Sequence, residues 1–485
     1  MKTFFTSFFL LTSFIVTAQI DQNSQWAWMK GDTTANATGV YGTRGIAAAA
    51  NKPGARNNAV TWTDRNGNMW LFGGLVYAAD GSSVGYLNDL WKYDPDTNLW
   101  TWMKGNNYIN NLGAYGPKGI SDPSYKPAAR RGATSWTDIF GNLYLFGGRT
   151  VIDITVAYLN DLSEYNVFTN QWTFVSGDAS INSQPVYGTK GTAAPDNKPG
   201  GREQSVSWEG ADGNFYLFGG SGTGFGGDNA NLNALNDFCK YDISTNQWTW
   251  IGGANYLQSG GTYGTQGTAG TENIPGARYG SVSLKDNAGN RWMYSGFGFA
   301  TNSINIGRLN DLWKYDATNN SWVWIKGDSA LNVRGFYGTK GTPALANKPG
   351  ARFYARGKVD TSGNFLLYEG AGFAASGGLS NLNDLWKYNI STNQWVWLQG
   401  DSTANTTGGV YGTQGTQSAL NKPGGRNSSV SWTDATGNLW LFGGYGYASG
   451  GTNTYLNDLW KLSPSNALPV TYLSTSSECR NGNPL

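Results

Sequence analysis

Short runs in which apolar and polar residues alternate cover most of the chain, and Gly, Asn or Asp interrupt them at close intervals. In the first clear unit, residues 56–63 and 69–72 form two such runs, separated by a turn-like sequence at 64–68, and a Gly-Gly pair follows. Two further runs lie at 87–93 and 100–102. A period of two residues with turn residues between the runs predicts four β-strands, and no segment has a convincing helical period.

This unit occurs six times, the last time without its fourth strand. A Leu-Asn-Asp motif recurs at intervals of 72 to 76 residues. Each copy also has a Tyr-Gly pair, an Arg 15 residues after that Tyr, and a Gly-Asn pair 11 residues after the Arg. Constant offsets in all copies are typical of a repeat architecture. Units of four strands that cannot bury both faces alone pack radially, so the sequence predicts an all-β, six-bladed propeller.

The two ends of the repeat array complement each other. The sixth unit stops after its Leu-Asn-Asp strand at 456–461 and lacks a Trp-x-Trp strand, whereas an additional Trp-Ala-Trp at 26–28 precedes the first unit. We therefore expect the N-terminal strand to complete the last blade and remove the free edges of the ring. All 22 Trp residues lie on repeat strands, where their large rings suit packing between sheets.

The repeat resembles the Kelch repeat in its Gly-Gly doublet after an apolar strand, its Asn-Asp-Leu-Trp-Lys-Tyr third strand and the Trp in its fourth strand. The doublet is preceded by Phe in four copies, and two copies depart from it, with Tyr294-Ser295-Gly296 and Tyr368-Glu369-Gly370. The resemblance covers residues 26–462. It implies a six-bladed Kelch-type β-propeller in which the first strand of each repeat lines the central channel, but a propeller fold does not by itself set a function.

Both termini differ from the repeats. Lys2, an apolar run at 4–16 and the small residues ending at Ala18 have the pattern of a secretory signal peptide at residues 1–18. Residues 19–465 then form the propeller. The tail, 466–485, resembles the segment that precedes the sorting module of type IX secreted bacterial proteins, so we interpret it as a linker or a truncated sorting module. The sequence predicts a secreted, extracellular protein, either free or attached to the cell surface.

Composition excludes several functional classes. The chain has 34 Lys+Arg against 32 Asp+Glu and a net charge of +2, which gives no electrostatic footprint for nucleic acid or an anionic membrane. No later segment has the length and apolarity of a transmembrane helix. Histidine is absent, so imidazole bases and ligands are excluded, and with them the copper radical oxidases found among Kelch-like propellers. Cys239 stands at a Trp position of its strand. We expect no metal, no cofactor and a monomer.

The connection between the Gly-Gly doublet and Leu-Asn-Asp varies in length, from 12 to 16 residues between the second Gly and the Asn. It opens on the same face of a propeller as the segments that join the blades, so this loop face is the predicted binding surface. Unmatched aromatic residues there would stack on sugar rings or anchor a protein partner, or else pack beneath their own loops. They are Tyr77, Phe225, Phe297, Phe299, Phe373, Tyr445 and Tyr447.

An Arg begins the channel strand of every repeat, and symmetry would place the six in a ring. Their planar guanidinium groups would capture carboxylates of a ligand. Alternatively, each would bond a backbone carbonyl or the Asp of Leu-Asn-Asp in its own blade, which the fixed register of one Arg and one Asp per blade favours. The arginines are Arg56, Arg130, Arg202, Arg278, Arg352 and Arg426.

Glu369 replaces a Gly beside the predicted channel and is the one candidate for catalytic chemistry, although no second acid or base accompanies it. Two functions are open. The first is a non-catalytic module that binds a glycan or a protein through the loop face. The alternative is a carbohydrate-active enzyme, of the mutarotase, epimerase or lyase type, that uses Glu369 and the channel arginines. The lack of a catalytic constellation in the sequence favours the first.

Overall fold

The strands form six antiparallel sheets arranged around a central channel. The computed structural model describes residues 19–77, 83–152, 155–224, 233–404 and 407–465. The predicted signal peptide, the tail and Phe225 lie outside the described residues. Within these ranges the chain contains β-strands and no α-helix, so it holds no helix of the length and apolarity needed to cross a membrane. The fold is a six-bladed β-propeller, as the repeat pattern predicts.

Four main strands build each blade, and short edge strands extend several of them. The N-terminal strand is β1 (Gln25–Lys30). Blade 1 contains β2 (Arg56–Asn57), β3 (Val60–Thr63), β4 (Met69–Tyr77), β5 (Val84–Asp94) and β6 (Leu99–Lys104). Blade 2 contains β7 (Ser121–Asp122), β8 (Thr134–Thr137), β9 (Leu143–Ile152), β10 (Thr155–Asn166) and β11 (Gln171–Ser176). Blade 3 contains β12 (Arg202–Glu203), β13 (Val206–Glu209), β14 (Phe215–Gly222), β15 (Ala234–Asp242) and β16 (Gln247–Gly252).

The second half of the ring follows the same plan. Blade 4 contains β17 (Arg278–Tyr279), β18 (Val282–Lys285), β19 (Arg291–Phe299), β20 (Ile306–Asp316) and β21 (Ser321–Lys326). Blade 5 contains β22 (Arg352–Phe353), β23 (Arg356–Val359), β24 (Phe365–Tyr368), β25 (Ala371–Phe373), β26 (Leu379–Asn381), β27 (Leu385–Asn389) and β28 (Gln394–Gln399). Blade 6 contains β29 (Gln417–Ser418), β30 (Arg426–Asn427), β31 (Val430–Thr433), β32 (Leu439–Tyr447) and β33 (Asn453–Ser463).

The antiparallel order gives the ring two different faces. In blade 1, β3 lies at the channel and is followed outwards by β4, β5 and β6. The tight turns at 64–68 and 95–98 therefore lie together on one side, the turn face. The connection between β4 and β5 lies on the opposite side. The segment at 105–129, which leads to blade 2, begins and ends on that side, and its middle part, β7, pairs with the outer strand β11. This second side is the loop face of the sequence analysis.

The N-terminal strand completes blade 6. β1 pairs antiparallel with β33, with Trp26 opposite Leu462 and Trp28 opposite Trp460. Trp26 is buried, and its ring meets that of Trp460 edge to face at 6.4 Å. The two ends of the repeat array are thus joined in one sheet, which confirms the predicted closure.

A ring of backbone hydrogen bonds encircles the channel at its loop-face end. One residue per blade, two positions after the repeat Arg, has a left-handed φ between 51° and 65°. Its N–H donates to the carbonyl of the equivalent residue in the preceding blade at 2.7 to 3.1 Å, and the first blade bonds to the sixth. These bonds tie neighbouring blades together without side chains. The residues are Asn58, Gly132, Gln204, Gly280, Tyr354 and Ser428.

Tryptophans of the inner strands also connect neighbouring blades. The indole N–H of Trp62 donates to the carbonyl of Tyr144 in blade 2 at 2.9 Å, and Trp432 of blade 6 donates to the carbonyl of Trp62 at 3.1 Å. The equivalent Trp residues of blades 2 and 3 make the same bond. Blades 4 and 5 carry Leu284 and Lys358 at this position, so the packing between blades is not uniform around the ring.

Candidate binding surface on the loop face

The six repeat arginines are buried beneath the loop face. Arg56 donates from Nη1 and Nη2 to the two carboxylate oxygens of Asp89 at 2.9 and 2.8 Å, and neither side chain is exposed to solvent. The guanidinium also donates to the carbonyls of Gly54 and Gly73. The same ion pair recurs at 2.7 Å in the other blades. These pairs are Arg130–Asp161, Arg202–Asp237, Arg278–Asp311, Arg352–Asp384 and Arg426–Asp458.

The carboxylate of each pair receives further donors from its own blade. The hydroxyl of Tyr41 donates to Asp89 at 2.8 Å, and the indole of Trp91 donates at 2.7 Å. Burial and this carboxylate raise the pKa of Tyr41 well above its usual value. In blade 3 Cys239 takes the place of the Trp and is buried, as its repeat position predicts. The arginines are therefore engaged inside the blades, which favours their structural interpretation, and we assign them no ligand contact.

Glu369 lies behind the channel wall. Its side chain is fully buried, and its φ of 60° keeps the left-handed conformation of the Gly that it replaces. Oε1 accepts from the N–H and the hydroxyl of Ser429 at 3.2 and 2.6 Å, and Oε2 has no hydrogen-bond partner among the described residues. Burial raises the pKa of Glu369 to about 7, although Arg356 acts in the opposite direction. A ligand in the channel would not touch this carboxylate, so the geometry does not support the enzymatic alternative.

The predicted aromatic residues differ in where the structure places them. Tyr447 is partly exposed at the end of β32. Phe299 is 1% exposed and packs with Ala234 and Ala277, in accord with the alternative that such residues lie beneath their loops. The remaining four described residues contact other rings or an Arg on the loop face. They are Tyr77, Phe297, Phe373 and Tyr445.

Each blade presents a row of three side chains at the loop face. In blade 4 the row is Tyr279, Phe297 and Arg308, which the register of β17, β19 and β20 places directly opposite one another. The three positions have constant offsets in every blade: the residue after the repeat Arg, the residue after the Gly-Gly position, and the residue two before the Asn of Leu-Asn-Asp. Residues directly opposite each other in an antiparallel sheet share a face, so the three side chains of each row lie together, with Ala234 of blade 3 fully buried.

The rows differ in chemistry although the framework beneath them is constant. We define the rim as these eighteen residues. They are Asn57, Leu75 and Tyr86 in blade 1, Arg131, Arg149 and Tyr158 in blade 2, Glu203, Ser221 and Ala234 in blade 3, Tyr279, Phe297 and Arg308 in blade 4, Phe353, Ala371 and Asn381 in blade 5, and Asn427, Tyr445 and Tyr455 in blade 6. Seven of the eighteen are aromatic, whereas aromatic residues make up 14% of the chain. Enrichment in aromatic residues and Arg is typical of binding surfaces.

Three Phe rings surround one guanidinium where blades 4 and 5 meet. The Cζ atom of Arg308 lies 5.1 Å from the ring centroid of Phe353, 5.4 Å from Phe297 and 5.9 Å from Phe373. Its Nε is buried and has no hydrogen-bond partner among the described residues, and burial lowers its pKa from the usual value. Ring faces hold a guanidinium without using its N–H groups, so the edge of Arg308 can bind a planar anion.

Two arginines share one carboxylate where blades 2 and 3 meet. Glu203 accepts from Nε of Arg131 at 3.2 Å through Oε2, and from Nη1 of Arg149 at 3.4 Å through Oε1. Glu203 is 4% exposed, whereas the side chains of the two arginines keep 18% and 29% of their exposure. Two cations for one anion give this part of the rim a net positive charge.

Contacts connect the rows around the channel mouth. Where blades 6 and 1 meet, the ring of Tyr455 lies 5.5 Å from Tyr445 and 5.4 Å from Tyr77. Nδ2 of Asn427 donates to Oδ1 of Asn381 at 2.6 Å and connects blades 6 and 5. The rim therefore combines ring faces with guanidinium edges at several junctions between blades. Such a surface can stack on the rings of a ligand and bind its carboxylates.

Of the rim residues, Phe297 and Tyr445 are among the aromatic residues predicted from the sequence, whereas the charged members, among them Arg131, Arg149 and Arg308, were not predicted. A signal was present, because the rim positions keep constant offsets while their residue types change from copy to copy. The prediction rested on aromatic residues without counterparts in the loops. That the ends of three strands, rather than the loops, bring their side chains together follows only from the strand register.

Comparison with known proteins gives no matching family model and no matching curated protein. The Kelch resemblance, the export signal and the sorting tail therefore stay predictions. Over residues 19–465, outside the gaps given above, no group of three or more Cys, Asp and Glu side chains is placed to hold a metal ion.

Proposed function

We propose that this protein is an exported, Kelch-type propeller module that binds a carboxylate-bearing glycan or protein on the rim. The observation that supports this function is the combination of a constant buried framework with side chains that vary at one surface. In every blade the same Arg–Asp pair fixes the strand ends. No two blades carry the same three residues beside these pairs, as expected where side chains are chosen for a partner and not for the fold.

The charges of the rim favour an acidic partner. The rim holds three arginines, Arg131, Arg149 and Arg308, against one carboxylate, that of Glu203, which pairs with the first two only. Arg forms paired, charge-assisted hydrogen bonds with carboxylates, and the neighbouring rings supply contact area with little loss of conformational entropy. A uronate-containing glycan and an acidic peptide segment both offer this combination of carboxylates and apolar surface.

Export is part of the same proposal. Residues 1–18 have the pattern of a signal peptide, which would place the rim outside the cell, where acidic glycans and surface proteins are available. Mass spectrometry of protein recovered from the medium of expressing cells should then find Gln19 at the N-terminus. A retained Met1 would contradict export by this route.

The ligand class can be tested with arrays. Purified chain from residue 19 onwards is applied to acidic glycans, neutral glycans, acidic peptides and neutral peptides, and the hits are measured by titration. We expect binding to an acidic class, and we expect Arg308→Gln to weaken it at least tenfold, about 1.4 kcal/mol. Phe353→Ala should weaken it as well, because it removes a ring that holds Arg308.

Arg65→Gln is the matched control. Arg65 is exposed in the turn-face hairpin of blade 1, so this change removes the same charge from the opposite side of the ring. It should leave the affinity unchanged. Binding that survives both Arg308→Gln and Phe353→Ala, or hits confined to neutral ligands, would show that the rim is not the site.

A further inference from the structure

Blade 5 places two cations beside the channel where the other blades place uncharged residues. Arg356 occupies the register position that Val430 holds in blade 6, and Lys358 occupies the position of Trp432. In the remaining blades these positions are Val or Thr and Trp or Leu. A cation loses hydration when it is packed between sheets. Two such replacements in one strand therefore require a compensating interaction.

The channel beside these residues contains a cavity of about 460 Å³. The inner strands of all six blades line it, and Arg356, Lys358 and Glu209 are its charged residues among those described. Thr61 and the Ser residues at the equivalent position of blades 2, 3, 4 and 6 line it as well. This volume is within the range that small-molecule sites occupy, and the wall is polar.

Arg356 is only partly satisfied by the protein. Its Nε donates to the carbonyl of Ser429. The nearest carboxylate oxygen, Oε1 of Glu369, lies 4.0 Å from Nε and already accepts two hydrogen bonds from Ser429. The side chain of Arg356 keeps 25% of its exposure. Since Arg356 lines the cavity, the rest of its guanidinium is available to a ligand there.

The ammonium group of Lys358 has fewer partners than the guanidinium of Arg356. No hydrogen bond or ion pair joins its ammonium group to any of the described residues, and burial lowers its pKa to about 8, with a further lowering by Arg356 and a weaker opposing effect of Glu209. Glu209 is farther away than an ion pair allows, and its Oε1 accepts from the N–H of Thr137 at 3.1 Å. An anion between Arg356 and Lys358 would supply the partner that both cations lack.

We propose that the channel binds one small oxyanion, a carboxylate or a phosphate, between Arg356 and Lys358. The two cations bind its oxygens, and the hydroxyl groups of the neighbouring inner strands form hydrogen bonds with its remaining polar atoms. This site is separate from the rim, because it lies on the inner strands and uses other residues. It does not depend on the proposed function.

Calorimetric titration of the full chain tests the site. Inorganic phosphate and acetate are titrated separately at pH 7 in a buffer that contains neither anion, and saturable binding of at least one is expected. The relative affinity of the two probes distinguishes a phosphate site from a carboxylate site. The variant R356V/K358W copies blade 6 and should lower the affinity at least tenfold. It should not lower the melting temperature, since it restores the apolar packing of the other blades.

Lys285→Thr is the matched control. Lys285 is exposed at the turn-face end of β18, and three other blades carry Thr at its position, so its loss should leave the affinity unchanged. If the double variant does not fold, Arg356→Gln and Lys358→Met measured singly replace it. Absence of saturable binding by both anions at millimolar concentration would overturn the site. So would an affinity that the channel variants leave intact, and its loss in Arg308→Gln would then place the anion on the rim.

Discussion

In blade 6 the strand beside the channel carries Val430 and Trp432, whereas blade 5 carries Arg356 and Lys358 at the same two positions. The indole of Trp432 reaches the backbone of blade 1. Lys358 instead borders a small cavity between blades 5 and 6 that Leu366 and other apolar side chains complete. At this position blade 6 bonds to its neighbour through an indole, whereas blade 5 has a charged group beside the channel.

The two blades also differ in the continuity of their sheets. In blade 6, β32 and β33 each run unbroken past the Gly-Gly doublet and the Leu-Asn-Asp motif. In blade 5 the corresponding strands are divided into β24 and β25, and into β26 and β27, with Glu369 at the first break. The ion pairs Arg352–Asp384 and Arg426–Asp458 are nevertheless the same. Blade 5 therefore keeps the buried pair although its second and third strands are interrupted.

The first test of this comparison removes the element that both blades share. Asp384→Asn in blade 5 and Asp458→Asn in blade 6 each leave a buried guanidinium without its counter-charge, which costs about 3–5 kcal/mol. We expect similar losses in the two blades, measured as the shift of the denaturant midpoint. A much smaller loss for Asp384→Asn would show that the irregular blade 5 does not depend on the pair.

The second test removes the position at which the blades differ. Trp432→Ala should destabilise the ring by about 3–5 kcal/mol, because it leaves a cavity between blades 6 and 1 and removes an indole hydrogen bond. Lys358→Ala, at the equivalent position, should change the stability by less than about 1 kcal/mol. Denaturant unfolding of both variants measures the contrast. Equal losses would mean that Lys358 contributes to packing as much as a Trp does.

The third test concerns the carboxyl group of blade 5. The folded-state pKa of Glu369, about 7, is above the value of 4.5 expected when the residue is exposed. The folded state therefore binds more protons than the unfolded state between these values, so stability falls as the pH rises through this range. Between pH 5 and pH 8 the fall due to Glu369 is about 2–3 kcal/mol.

Glu369→Gln should remove this part of the pH dependence and should stabilise the protein most at pH 8. Unfolding free energies of the wild type and the variant, measured at several pH values from 5 to 8, give the difference. Glu272→Gln serves as the control, because Glu272 is exposed and far along the chain from blade 5. Parallel pH profiles for wild type and Glu369→Gln would show that the buried carboxyl group keeps an ordinary pKa.

Repeat spacing predicted much of the fold. The six Leu-Asn-Asp motifs and the additional Trp-Ala-Trp at 26–28 gave the number of blades and the closure through β1, and both agree with the structure. The constant distance between each Arg and each Asp also favoured a pair within the blade. Such features follow from the sequence alone because each one is repeated. A short-range pattern that recurs in six copies is compatible with few folds.

The candidate sites could not be obtained in this way. Arg308 and Phe353 lie in different repeats, and only the register of β20 and β22 brings them to 5.1 Å. Arg356 and Lys358 are visible in the sequence as two departures from the repeat, but their position beside a cavity depends on six inner strands meeting at one axis. A departure from the repeat can be seen in a short stretch of sequence. Its neighbours in the folded ring come from residues hundreds of positions away.

The sequence by itself determined the strand periodicity, the number of repeats and the matching ends of the array, since these depend on short-range patterns and on their recurrence along the chain. Only the tertiary structure decided which positions of each repeat face solvent and which face the channel, because strand register and closure of the ring combine side chains from separate blades. The buried arginines, the rim and the two cations of blade 5 are distinguished by that combination, not by residue type.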